Sequence, residues 1–321
     1  KDRQIGFPYK GKNWRLTLAA FEPGGHTAPK SGRKEIIIEA ASRAGAAKAH
    51  ELLLQALALI GHEAIDNLDD FFIRDSNIRA FGNTRGSFRE TMDITKACKL
   101  AAKASQKEYL AIALAKYYLS LQLCNIQVMD LKPGRTFSRV DNRLYRTVLQ
   151  QAIVVSYSVI EELVVEVRAD RDKPSVLEDG TWNPPILADL RERLTKKGMK
   201  LDRQFVWDIR GRETTLEKKK PRQIHKTAKP TPWQQPWVRD IEVGIEDAIA
   251  HLSWLRSTVS SHCSSSKIKL IRGLSVYDVT NGQLLARQLL LESVGMFDEL
   301  TGEKPRAKSK RKRKIMRRRP K

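Results

Sequence analysis

The sequence predicts a mostly α-helical protein: a bundle of long helices, an N-terminal helical extension, and a basic C-terminal tail that stays disordered. Three observations predict it. Apolar residues recur every three or four positions over long stretches, which paints one face of a helix. Strand-like and helix-like segments do not alternate along the chain, as they would around a parallel sheet. The closing PRAKSKRKRKIMRRRPK repels itself and carries too few apolar side chains to bury a core.

Taken in order, residues 1–34 are rich in Gly, Pro, Lys and Arg and are expected to be loop, with one strand-like run at 14–21. Residues 35–59 are rich in Ala and Leu, the composition of a strong helix former. Ala49, Leu52, Leu53, Ala56, Leu59 and Ile60 supply its buried stripe, and Gly61-His62 closes it. Residues 66–90 mix acids, aromatics, Gly and Arg and are expected to form a long loop with a short helical turn. Two long helices follow, at about 91–128 with a break near Ser105, and at about 141–167. The second is apolar nearly all round, as a central bundle helix is. A shorter helix at 186–197 opens after a Pro-Pro pair and stops at Gly198. Residues 202–236, with four prolines and the cluster Lys218, Lys219, Lys220 and Arg222, read as a basic insertion between bundle helices. A helix is expected over 237–262, its stripe running through Trp237, Ile241, Ile245, Ala248, Leu252, Leu255 and Val259. The last helix covers about 276–297. Three regions result: 1–90 as extension, 91–300 as bundle, and 301–321 as tail.

Charge narrows the partners. The chain of 321 residues has a formal net charge of +22, and the twelve cations after Glu303 meet no acid; without them +10 remains. The body is therefore basic by itself, and polyanions are its natural partners, RNA or another nucleic acid first. In the tail, Lys310, Arg311, Lys312, Arg313, Arg317, Arg318 and Arg319 are the expected contacts to phosphate. The same run reads equally as a nuclear-import signal in a eukaryote. Lys218, Lys219, Lys220 and Arg222, with tryptophans around them, are expected to follow a nucleic-acid backbone. Three cysteines without metal-ligand spacing suggest a reducing compartment and no metal, so the expected location is cytoplasmic, or nuclear in a eukaryote. No apolar run reaches the ~18 residues that a membrane helix needs, and no membrane partner is expected.

The candidate chemistry sits at the end of the 237–262 helix. Arg256 and His262 are separated by five residues and followed by Cys263-Ser264-Ser265-Ser266. A permanent cation beside a group that titrates near neutral pH suits phosphate binding and proton transfer. Ideal helix geometry turns positions six apart ~120° away from one another, so the pair converges only where the helix ends early or a second subunit completes the site. Glu161, on the neighbouring helix, is the candidate to orient either residue; with Glu162 it reads equally as a helix-surface acid.

An Arg, five residues and a His at the end of a bundle helix resembles the HEPN family, whose signature is an Arg, four to six residues and a His. The residue after the Arg is commonly Asn, Asp or His there; here it is Ser257. The resemblance implies a HEPN-like helical bundle, a homodimer with its site shared across a two-fold axis, and metal-independent RNA cleavage without a cofactor. It also implies a toxin or antiviral-defence setting and a possible regulatory partner protein. Arg256, His262 and Glu161 are then the expected catalytic residues. The alternative, from another class, is a non-catalytic nucleic-acid-binding or assembly protein that works through its tail and basic surface.

Overall fold

Strand alternation, not helical periodicity, governs residues 3–10, 14–22 and 33–40. The computed structural model describes residues 3–22, 33–62, 72–74, 79–81, 88–129, 143–170, 172–177, 181–210, 238–260 and 276–301. β1 (Arg3–Lys10), β2 (Trp14–Glu22) and β3 (Arg33–Ala40) form an antiparallel meander, with Lys10 opposite Arg15 and Leu16 opposite Ile38. The strand-like run expected at 14–21 is present as β2, while the expected loop is corrected to strand at 3–10 and 33–34, as is the helical reading of 35–40. Ile36, Ile37 and Ile38 are β-branched, and a pleated strand holds them with less crowding than a helix. Trp14, Leu16, Ile36 and Ile38 are buried against α1 (Arg43–Gly61), which Ser42 caps by accepting from the Gly45 amide. The predicted stripe of α1 is buried at Ala49, Leu52, Leu53, Ala56 and Leu59.

Short strands β4 (Phe72–Arg74) and β5 (Arg79–Phe81) pair where a loop with a helical turn is expected. The chain then turns helical. α2 (Phe88–Ala104) and α3 (Glu108–Met129) are separated by a turn at 105–107, so the break near Ser105 is present. α4 (Arg143–Glu162) packs against α3, and α5 (Pro184–Lys196) opens on its Pro-Pro pair and ends before Gly198, whose φ is +80°.

β6 (Gln204–Arg210) and β7 (Val238–Gly244) form an antiparallel ribbon that runs directly into α6 (Ile245–Ser260). Two expectations are corrected by it. The insertion over 202–236 begins with a strand, and the helix expected over 237–262 starts only at Ile245. Trp237, Ile241 and Ile245 are spaced by four, which is one helical turn and also two strand repeats, so periodicity alone cannot separate the two. The ladder decides it: Trp207 lies opposite Ile241 and Phe205 opposite Val243, and both aromatics are buried.

α7 (Val276–Ser293) and α8 (Phe297–Thr301) complete the described chain. α7 is the inner helix, with Val279, Leu285, Leu289 and Leu290 buried and packed on α3, α4 and α6. A Cβ on Gly282 would stand 3.0 Å from Leu252 and 3.4 Å from Ser156, so glycine sets how closely α7 approaches α6 and α4. The architecture is mostly helical with small sheets, and one apolar core runs from Trp14 on β2 to Met296 after α7. No helix among the described residues is long and apolar enough to cross a membrane.

Candidate functional site

The last turn of α4 and the C-terminal half of α6 lie side by side. Tyr157 neighbours Ser253 and Glu161 neighbours Arg256, so residue numbers rise together and the two helices run in the same direction. Tyr157 is buried, which pushes its phenol up from the usual value, while hydrogen bonding with Ser253 works against that rise. One Glu161 oxygen lies 3.2 Å from an Arg256 Nη, and the guanidinium carbon stands 5.8 Å from the centre of the Tyr157 ring. The acid and the ring together orient this arginine. It stays open to water: its side chain is 42% exposed and that of Glu161 is 38% exposed. The remaining N–H donors of a guanidinium so held can take a phosphate oxygen.

A left-handed turn closes α4 just beyond Glu161. Val164 sits at φ +61°, its amide donating to the Glu161 carbonyl while the Val165 amide donates to that of Ile160. That is the helix-ending pattern usually given to glycine, here imposed on a β-branched residue at a steric cost. Arg193 of α5 reinforces it, donating to the Val164 carbonyl at 3.2 Å.

The sequence-predicted residues divide clearly. Arg256 and Glu161 meet. Glu162 turns to Lys116 of α3, with a nitrogen–oxygen separation of 2.7 Å, and serves that surface pair. Ser257, the residue after the Arg, donates to the Trp254 carbonyl at 2.9 Å. His262 and Cys263 lie outside the described residues, as do Lys218, Lys219, Lys220 and Arg222 and the tail cations Lys310, Arg311, Lys312, Arg313, Arg317, Arg318 and Arg319.

Two histidines turn out to be packed, one buried and one half-buried. His251 of α6 is fully buried, 5.3 Å from the Trp207 ring and edge-on to it, and stacked 6.0 Å from Trp254. His62 caps α1 in the left-handed region at φ 58°, its Nδ1 2.6 Å from the Tyr117 hydroxyl. Burial lowers His62 to about 4, with the nearby Arg287 charge adding to the effect. Arg287 in turn donates to the carbonyls of Leu59 and Ile60, at 2.6 and 2.7 Å, and closes the end of α1. Both histidines are packing elements.

Sequence reasoning also passed over Tyr157 and the β1–β2 hairpin. Tyr157 stands four residues before Glu161, one helical turn, and that spacing was the available signal for it. The hairpin carries its signal in Lys10-Gly11-Lys12-Asn13, a turn-forming run between alternating apolar residues.

Comparison with known proteins adds no relative: no family model, no curated protein and no solved structure matches the chain.

Proposed function

We propose that this chain is a metal-independent endoribonuclease of the HEPN type, with the end of α6 as its catalytic centre. The observation that supports this reading is the Arg256 guanidinium, held by Glu161 at 3.2 Å above the Tyr157 ring and half open to solvent. In the proposed reaction Arg256 binds the scissile phosphate and stabilises the charge that grows on it. His262 acts as the acid/base. A base removes the 2′-hydroxyl proton, the oxygen attacks phosphorus, and the 5′-oxygen leaves as an acid returns a proton. The two proton transfers fall to two His262 side chains if the protein works as the proposed homodimer. Glu161 is a positioning residue in this scheme. RNA is the substrate, and a toxin or antiviral-defence role under the control of a partner protein is part of the same proposal.

One observation favours a second reading. Glu161 already neutralises Arg256, which suits an ion pair that merely ties α6 to α4. On that reading the protein is a non-catalytic nucleic-acid-binding or assembly protein.

Total RNA incubated in EDTA with wild type, Arg256→Ala, His262→Ala and Glu161→Gln separates the two. Cleavage by wild type is expected to fall at least ~100-fold in both Arg256→Ala and His262→Ala, and less in Glu161→Gln. Absence of cleavage by wild type, with salt-sensitive RNA binding intact, would replace the enzyme by the binding protein.

A further inference from the structure

A depression opens on the surface beside the α2–α3 turn. It is a groove of about 730 Å³ between the β1–β2 hairpin and the end of β3, lined by Pro8, Trp14, Ala40 and Ala41 and rimmed by Lys10, Lys12 and Arg15. Its shape is built in. The Gly11 amide donates to the Trp14 carbonyl at 2.9 Å, leaving Lys12 and Asn13 as the tip of the hairpin. A Cβ on Gly11 would stand 2.3 Å from the Trp14 indole, so only glycine lets that ring lie under the turn. The hairpin is also anchored to the bundle: the Lys12 amide donates to Ser105 Oγ at 3.2 Å, and Gln106 donates to the Lys10 carbonyl at 3.4 Å.

That anchoring continues the cationic rim onto the helices. Lys107 comes next in the α2–α3 turn, exposed, and Lys197 at the end of α5 covers the Tyr109 ring at 4.2 Å. Two acids stand near this line, Glu39, 3.6 Å from Arg15, and Glu108, beside Lys107 in sequence. Cations remain in excess. An apolar floor beneath a row of exposed lysines matches a ligand whose own apolar and anionic parts alternate. A single-stranded nucleic acid has that pattern, with base and sugar faces along one side and phosphates along the other.

We propose that the hairpin groove and the Lys10, Lys12, Lys107 line bind single-stranded RNA by its backbone, through residues other than those of the Arg256 centre. This rests on the reading of nucleic acid as the partner and holds whether or not the chain cuts it. The lysines are exposed and reverse in charge without opening the core, so the fold tolerates the test.

Full-length Lys10→Glu/Lys12→Glu/Lys107→Glu is compared with wild type for binding a labelled 12-nucleotide oligo(U) RNA in EDTA. The dissociation constant is expected to rise at least ~10-fold near 0.1 M salt, and the slope of log affinity against log salt to fall by about 2. The matching Lys→Arg triple variant is expected to bind like wild type. Both variants should melt at the wild-type temperature. Wild-type affinity and slope in the glutamate variant would overturn the track, even if cleavage at Arg256 is established. A loss of binding to anionic vesicles with RNA binding unchanged would overturn it too, in favour of a lipid surface. Absence of RNA binding by wild type would remove track and proposed function together; binding without cleavage removes only the latter.

Discussion

Arg203 and Arg256 both face carboxylates, and their surroundings give them opposite roles. Arg203, just before β6, lies 2.8 Å from Glu292 and 2.6 Å from Asp298, with the Phe297 ring 3.6 Å from its guanidinium carbon. Its side chain is 9% exposed, and that of Glu292 only 3%. Arg256 has one acid, a more distant ring and 42% of its side chain in water. The first fastens the start of the β-ribbon to the end of α7 and the beginning of α8 and has no face left for a ligand. The second keeps donors facing solvent. Residue type does not distinguish them; what does is whether neighbouring elements close over the pair.

The sharpest way to break this comparison is Arg203→Ala. Glu292 would be left buried without its counter-charge, and the expected loss is about 3–5 kcal/mol of folding free energy in guanidinium titration. Replacing both members, Arg203→Met with Glu292→Met, is expected to recover most of it, since no lone buried charge then remains. A mild effect of Arg203→Ala would mean that the cluster is wetter than its geometry indicates.

His62 extends the comparison to a half-buried group that titrates. Its value of about 4 lies below the ordinary 6.5, so the unfolded chain takes up a proton that the folded chain refuses. Stability contributed by this site is full above about pH 6.5, falls as pH drops towards 4, and levels off below that. His62→Asn, which tolerates the left-handed backbone, removes this dependence. The gap between urea midpoints at about pH 7 and pH 5 is expected to narrow in the variant; an unchanged gap would assign the pH sensitivity elsewhere.

Smaller effects belong to the exposed end. Val164→Gly relieves the φ of +61° and sacrifices little burial, because Val164 is 41% exposed. A gain of about 1 kcal/mol is expected from thermal melts; destabilisation would show that the valine side chain packs more than it strains. Arg256→Ala is expected to cost only about 0.2–1 kcal/mol of stability, as exposed pairs do. A loss as large as that of Arg203→Ala would make Arg256 a structural residue and erase the contrast.

Much of the bundle was legible in the sequence because the 3.6-residue repeat is a local property. The stripe of α1, the break near Ser105, the Pro-Pro start of α5 and its stop at Gly198 all arise from residues within a few positions of one another. The candidate site was legible in part for a different reason: Arg256 stood out near the end of an apolar helix, and Glu161 as an acid inside the apolar run of the neighbouring one. Tyr157, the third member, was hidden among the apolar residues of α4.

By itself, then, the sequence determined the basic charge, the mostly helical class and the helix faces, since each depends on composition or short-range spacing. Tertiary structure decided what long-range partners must supply. Residues 238–244 read as helix until Phe205 and Trp207 pair with Val243 and Ile241, 38 and 34 positions later, and draw Val238–Gly244 into a strand. In the same way Glu161 and Arg256 are ninety-five positions apart in sequence and 3.2 Å apart in space, an encounter produced only by packing α6 against α4.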